Sequence, residues 1–272
     1  MRPSRRATTA AAAALAAAAL LLAGCSASPG SAATSGSATG NATGNATSSK
    51  PLIVFAAASL QSSFDALAKS FQKSNPEYPV APIRYDGSQA LATQIVNGTD
   101  VDVIAFADQK SLEPVTKAGL AGKGTIFATN TLRIAVPPGN PKGIHDLSEL
   151  TKPGLKVVIC APQVPCGTAS QTLLENAGVQ LTPASQETNV TSVVTRVEND
   201  EADAGLVYAT DIAASDGKLD GITPAGADKV VNSYPIAVAN KAPSSKAAHA
   251  FVSFVLSSAG QRILSQYGFG KP

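Results

Sequence analysis

The chain has 272 residues and nearly balanced charge, with 21 Lys and Arg against 19 Asp and Glu. This balance argues against a nucleic-acid-binding surface, and the lack of tryptophan with few other aromatic residues leaves no evident stacking platform for bases or sugars. From residue 51 onward, no apolar run of the sequence is long enough to cross a membrane.

The N-terminal segment, residues 1–25, has the features of a secretory signal peptide. Arginines near the start precede an Ala- and Leu-rich run at residues 10–22, and small residues stand before Cys25. The ending LAGC resembles the lipobox of bacterial lipoproteins, which implies that cleavage leaves Cys25 as a lipid-bearing N-terminus. The alternative is an ordinary signal peptide with an incidental cysteine.

The next segment, residues 26–50, consists almost wholly of Ser, Ala, Thr, Gly and Asn. Such a composition buries too little apolar surface to offset the entropy lost on ordering. It predicts a flexible tether between the lipid anchor and a folded part that starts at residue 51.

The folded part alternates apolar runs with amphipathic segments. The continuous apolar run at residues 52–57 indicates a strand buried on both faces, and apolar residues at helical spacing over residues 59–73 predict a helix. Further strands are predicted at 79–85, 101–106, 132–136, 155–160, 205–208 and 234–238, and further helices at 88–96, 168–177, 189–197 and 249–267. This alternation predicts an α/β protein with two lobes of parallel-rich sheet flanked by helices.

Two cysteines remain after the signal peptide, Cys160 and Cys166. Outside the cytoplasm a pair this close in sequence is a candidate disulfide, and two buried thiols are the alternative. The histidines His145 and His249 stand alone in sequence, so no metal-binding spacing is present and no metal cation is expected.

Four predicted strand-to-helix junctions combine small, hydroxyl and amide residues, at residues 57–60, 86–89, 165–168 and 188–191. Ligands of open α/β sheets bind beyond the carboxyl ends of the strands. The start of a helix there offers an anion unpaired backbone N–H groups and the positive end of the helix dipole. Each junction also has a purely structural interpretation, because Ser, Thr and Asn are preferred helix N-caps.

Four sequence motifs occur along the chain in this order: FAAASL at 55–60, GSQALATQI at 87–95, VDVIAFAD at 101–108 and GLVY at 205–208. Together they resemble the periplasmic molybdate-binding proteins of ABC importers. The resemblance covers essentially residues 52–270. It implies a type II periplasmic-binding-protein fold with a hinge between lobe 1 (residues 51–131 plus 235–272) and lobe 2 (residues 132–234).

The resemblance implies five anion-binding positions: Ser59, Ser88, Cys166, Val190 and Tyr208. The two serines would donate hydroxyl and backbone N–H groups, the tyrosine its hydroxyl from the second lobe, and the other two their backbone N–H groups. The chain departs from the family at Cys166, where a backbone donor tolerates another side chain. It also departs at Gln89, where a small hydroxyl residue is common.

The resemblance also implies partners and location. The expected ligand is molybdate or tungstate, with no cofactor and no enzymatic activity. The expected partner is the membrane permease of an ABC importer, and the chain is expected to be a monomer. The membrane would be reached only through the lipid anchor, at the outer face of the cytoplasmic membrane.

The proposed contacts are all donors, and a donor-only pocket suits a fully ionised dianion. Asp86 and Asp211, which lie nearby in sequence, are interpreted as turn or capping residues. Three alternatives stay open: another oxyanion such as sulfate or phosphate, an exported hydrolase with Ser59 or Ser88 as nucleophile, and a structural or adhesive surface lipoprotein. The hydrolase is poorly supported because the sequence has no Gly-x-Ser-x-Gly elbow and only two histidines.

Overall fold

The computed structural model describes residues 50–272. The predicted signal peptide with Cys25, and the tether up to residue 49, lie outside the described residues. Within residues 50–272, none of the helices combines the length and the apolar character needed to cross a bilayer.

The strands are Val54–Ala57 (β1), Arg84–Asp86 (β2), Val103–Ala105 (β3), Thr125–Val136 (β4), Val157–Cys160 (β5), Ser185–Glu187 (β6), Ala204–Tyr208 (β7), Asp220–Ile222 (β8) and Val231–Val238 (β9). The α-helices are Gln61–Ser74 (α1), Ser88–Val96 (α2), Gln109–Lys117 (α3), Pro165–Asn176 (α4), Val190–Glu198 (α5), Ala209–Ala214 (α6), Ser245–Leu256 (α7) and Ser258–Gln266 (α8). Short 3₁₀ turns lie at Ala58–Leu60, Leu147–Thr151 and Ala227–Lys229.

The strands follow the order β2-β1-β3-β9-β4-β7-β5-β6, with β8 added to β4. The long strand β4 links the two halves of this sheet. Its first part pairs with β9 and its second part, from Leu132 on, pairs with β7 and β8. Among the described residues four strand pairings are parallel and four, all made by β4 or β9, are antiparallel. The sheet is therefore mixed, whereas the sequence pattern predicted parallel-rich sheets.

Burial explains why these segments form their elements. All four residues of β1 and all five of β7 are buried, as expected for strands with helices on both faces. Helix α1 turns one face inward, through Phe64, Leu67 and Phe71. Phe64 and Phe71 both make edge-to-face contacts with Phe251 of α7, which fixes α7 on the first half of the sheet.

The buried apolar side chains form three clusters that follow the two halves of the sheet. One cluster draws only on residues 132–230. The other two draw on residues 52–128 and 234–269. The chain therefore leaves the first half through β4 and returns to it through β9. The residue boundaries of lobes 1 and 2 given above stay a prediction.

Several predicted elements differ from the observed ones. The helix predicted at 249–267 is two helices, because Ser257 adopts an extended backbone and its Oγ accepts from Gly260 N. The helix predicted from Thr168 begins three residues earlier, at Pro165. Helices α3 and α6, strands β6 and β8, and the first half of β4 were not predicted. Helix α3 carries Pro114 and only two buried apolar side chains, so its helical pattern is weak.

Candidate functional site

A small cavity of about 10 Å³ lies at the carboxyl ends of β1, β2 and β7. Its wall is built from the segments that follow these strands and from the starts of α2, α4 and α5. All five residues that the sequence predicted for anion binding line it: Ser59, Ser88, Cys166, Val190 and Tyr208. The fold thus brings positions up to about 150 residues apart in sequence to the same cavity. The carboxyl ends of the strands, where this cavity lies, are the place where open α/β sheets bind ligands.

Three helices begin at the cavity wall, and their positive dipole ends lie there. Ser88 is the first residue of α2, Val190 the first of α5, and Cys166 the second of α4. The first turn of a helix has N–H groups without intrahelical acceptors. The arrangement therefore supplies an anion with three sets of backbone donors.

The side chain of Ser88 is fully buried and already accepts one hydrogen bond. Ala107 N donates to Ser88 Oγ over 3.0 Å. A hydroxyl that accepts from a backbone N–H keeps its own proton for another acceptor. Ser88 is thus held in place as a donor. Ser59 Oγ is held by a hydrogen bond to the hydroxyl oxygen of Tyr234, 3.1 Å away, in which either hydroxyl can be the donor.

Tyr208 is only 1 % exposed, and its hydroxyl has no hydrogen-bond partner among the described residues. The neighbouring ring of Tyr234 lies 6.1 Å away, centroid to centroid, but no hydrogen bond of normal geometry joins the two hydroxyls. Burial, reinforced by Tyr234 and two nearby carboxyl groups, raises the pKa of Tyr208 well above its ordinary value. The phenol therefore stays protonated and can only donate to an anion.

Cys160 and Cys166 form a disulfide, with Cα atoms 5.7 Å apart. The bridge joins the end of β5 to the first turn of α4. Next to it, a Cβ at Gly167 would lie 1.8 Å from Ala161 O, so only glycine fits there. The bridge and this close contact together fix the N-terminus of α4 against the cavity.

The two carboxylates near the site both act as turn or capping groups. Asp211 Oδ2 accepts from Tyr208 N over 2.8 Å, and Asp86 Oδ1 accepts from Gly87 N over 2.7 Å. The Asp211 residue is partly exposed but its carboxyl group is enclosed, and burial raises its pKa to about 7. Asp86 also lines the cavity, whereas Asp211 lines a neighbouring one.

Tyr234 also lies beside the site and was not predicted from the sequence. Its hydroxyl contacts Ser59 Oγ, and Asn130 Nδ2 donates to it over 3.4 Å. Burial raises the pKa of Tyr234 above its ordinary value, so this phenol is also neutral. The available signal was a tyrosine inside a predicted buried strand, where its hydroxyl needs a partner.

Residues 52–270 match the sequence profile of a family described as bacterial extracellular solute-binding proteins. The chain belongs to this family. A molybdate-binding protein, ModA, of Mycobacterium tuberculosis is 44% identical over 224 residues, which cover 82% of this chain and 85% of that protein. The family match at residues 52–270 spans both halves of the sheet.

Solved structures place this solute-binding protein in the same fold group. The periplasmic molybdate-binding protein of Azotobacter vinelandii superposes with a TM-score of 0.70 at 22% identity, covering 81% of this chain and 99% of that one. The sulfate-binding protein SubI of Mycobacterium tuberculosis gives 0.67 at 20% identity, covering 81% and 86%. These likenesses confirm the two-lobe type II fold that the sequence motifs predicted.

Proposed function

We propose that the protein captures molybdate, or tungstate, which has the same shape and charge, in the cavity between the lobes. The observation that carries this proposal is the Tyr208 hydroxyl, a buried donor that lines the cavity and lacks a partner among residues 50–272. A buried polar group without a partner costs about 1–3 kcal/mol, and an anionic oxygen would remove that cost. The 44% identical mycobacterial protein carries the name of a molybdate-binding protein, which supports the same ligand.

The size and chemistry of the cavity support a compact, doubly charged anion. Sites for drug-sized organic ligands usually exceed about 300 Å³, and this cavity is smaller. The lining residues Ser59, Ser88 and Tyr208 supply hydroxyl donors, and the starts of three helices supply N–H donors. Such hydrogen bonds to a charged group each contribute roughly 1.5–3 kcal/mol, so no buried arginine is required.

The cellular role that we propose follows from the family. The protein would be exported, held by lipid on Cys25 at the outer face of the cytoplasmic membrane, and would act as a monomer that delivers the anion to the permease of an ABC importer. The anion would meet the serines of lobe 1 first, and closure would add Tyr208 and the other donors of lobe 2. The permease would then distinguish the closed, anion-loaded form from the open form.

A binding role also fits the site better than hydrolysis. The neighbour of Ser59 Oγ is the phenol of Tyr234, and that of Ser88 Oγ is a backbone N–H group. Both histidines of the chain are exposed, and neither lines the cavity. Among the described residues, neither serine has an imidazole base beside it, which a serine nucleophile requires.

Asp86 supports one rival ligand, hydrogen phosphate, because an acceptor at the cavity wall could bind the acidic proton of that anion. Calorimetric titration of the purified protein with molybdate, tungstate, sulfate and phosphate shows whether molybdate or hydrogen phosphate is the preferred ligand. We expect dissociation constants of about 1 μM or tighter for molybdate and tungstate, and binding of phosphate weaker by a factor of about 100 or more.

Perrhenate is the matched control for this titration, since it has the tetrahedral shape of tungstate with a single negative charge. We expect it to bind at least about tenfold more weakly than tungstate, because its oxygens accept weaker hydrogen bonds. Molybdate should also raise the melting temperature of the protein. Tighter binding of phosphate than of molybdate would contradict the proposal.

A further inference from the structure

Two side-chain hydrogen bonds join the start of α2 and the residues just before it to the segment before α5. Gln89 Nε2 donates to Thr188 O over 3.0 Å, and Asn189 Nδ2 donates to Asp86 Oδ1 over 3.2 Å. The partners are 99 and 103 residues apart, and each bond runs from predicted lobe 1 to predicted lobe 2. Both bonds therefore require the two lobes to be together.

The amide of Asn189 has a fixed orientation. Its Oδ1 accepts from Ser192 N over 3.0 Å and caps α5. Because the oxygen is used by the helix, the NH₂ group is directed to Asp86. The same Oδ1 of Asp86 also accepts from Gly87 N. One carboxylate oxygen thus links the start of α2 to the start of α5.

The backbones of the two segments are also in direct contact. A Cβ at Gly87 would lie 2.4 Å from Thr188 O, so a larger residue would push the segments apart. Asp86, Gly87 and Asn189 line the same cavity as Ser88 and Val190. The contacts lie beside the anion donors, at the place where an opening would release the anion.

We propose that Asp86, Gln89 and Asn189 form an interlobe latch that holds the cleft closed and sets the rate at which the anion leaves. The latch proposal rests on the proposed function, from which it takes the identity of the anion. The latch forms only after the lobes meet, so it acts on dissociation and leaves the first encounter with the anion unchanged. These three side chains are positioning residues, because they act on the anion through the lobes.

The substitution Asn189→Asp tests the latch without removing the helix cap, because Asp is an equally good N-cap. It replaces the donor by a second carboxylate facing Asp86. We expect stopped-flow measurements to show molybdate dissociating about tenfold faster or more, with an association rate unchanged within about twofold. The double variant Asp86→Asn with Asn189→Asp restores a donor and an acceptor in reversed order, and dissociation should return to within about threefold of the unmodified protein.

The second bond is tested by Gln89→Ala, which should speed dissociation by about 2- to 10-fold. Gln171→Ala, at an exposed position of α4, is the matched control and should leave both rates unchanged. Unchanged dissociation in Asn189→Asp would overturn the latch. Failure of the double variant to recover would overturn it too, because a merely structural role of Asn189 predicts no rescue.

Small-angle X-ray scattering of the anion-loaded variants separates the latch from the proposed function. We expect a larger radius of gyration for anion-loaded Asn189→Asp than for the anion-loaded unmodified protein, and recovery in the double variant. If the unmodified protein does not bind molybdate, the proposed function fails, and the radii measured with whichever of sulfate or phosphate it binds decide about the latch. Equal radii would overturn it.

Discussion

Replacing Tyr208 by phenylalanine lowers the affinity for molybdate by roughly 10- to 100-fold, because it removes one hydrogen bond to a charged ligand. The same change leaves the ligand-free protein equally stable, or more stable by up to about 1 kcal/mol, since the hydroxyl is buried without a partner among the described residues. Few substitutions combine a large loss of binding with no loss of stability. Calorimetric titration measures the affinity of the variant, and urea unfolding measures its stability.

The matched control is Tyr78→Phe, because this tyrosine stacks on Phe71 and lies outside the cavity. It should leave the affinity unchanged. Adding Ser59→Ala to Tyr208→Phe removes a donor from each lobe and should lower the affinity further. If the double substitution binds molybdate as tightly as the unmodified protein, these hydroxyls are not ligands.

Asp211 makes the stability of the protein depend on pH. Burial raises the pKa of its carboxyl group to about 7 in the folded protein, against an ordinary value of 3.8. The folded state therefore holds a proton that the unfolded state releases as the pH rises above about 4. This contribution is fully present below pH 4 and is lost as the pH rises towards 7. The loss amounts to roughly 4 kcal/mol of unfolding free energy, at about 1.4 kcal/mol per pKa unit.

The substitution Asp211→Asn tests this linkage. An amide oxygen can keep the hydrogen bond from Tyr208 N, while the titration disappears. Urea unfolding between pH 4.5 and 8 should give a flatter profile for the variant, with the largest gain in stability above about pH 7. Asp100→Asn, at an exposed position, is the control and should retain the original profile. Parallel profiles for Asp211→Asn and the unmodified protein would contradict the buried carboxyl.

The local parts of the fold were predictable because their signals lie in short stretches of sequence. The apolar run before Ser59 predicts a buried strand, and the spacing of Phe64, Leu67 and Phe71 predicts the helix after it. The break at Ser257 was missed because the apolar spacing of the segment stays helical across it. Only the extended backbone at this serine separates the two helices.

The candidate site was predictable at its strand-to-helix junctions and unpredictable at its long-range contacts. Ser88 and Val190 stand at helix starts that the sequence predicts within a residue. The contact of Ser59 with Tyr234 joins positions 175 residues apart, and no spacing rule encodes it. The bond from Asn189 to Asp86 is of the same kind. Such pairs follow from the return of the chain through β9 and from the meeting of the lobes, which the sequence pattern alone does not specify.

The central claim is that neutral hydroxyl and amide groups from both lobes hold a dianion without a positive countercharge. Crystals grown with molybdate and measured at the molybdenum absorption edge test it most directly, because the metal atom is located by its own anomalous scattering. We predict one strong peak in the cavity, with anion oxygens within hydrogen-bond distance of Ser59 Oγ, Ser88 Oγ and Tyr208 Oη. A peak on another surface, or a bound anion that Tyr208 does not touch, would contradict the account.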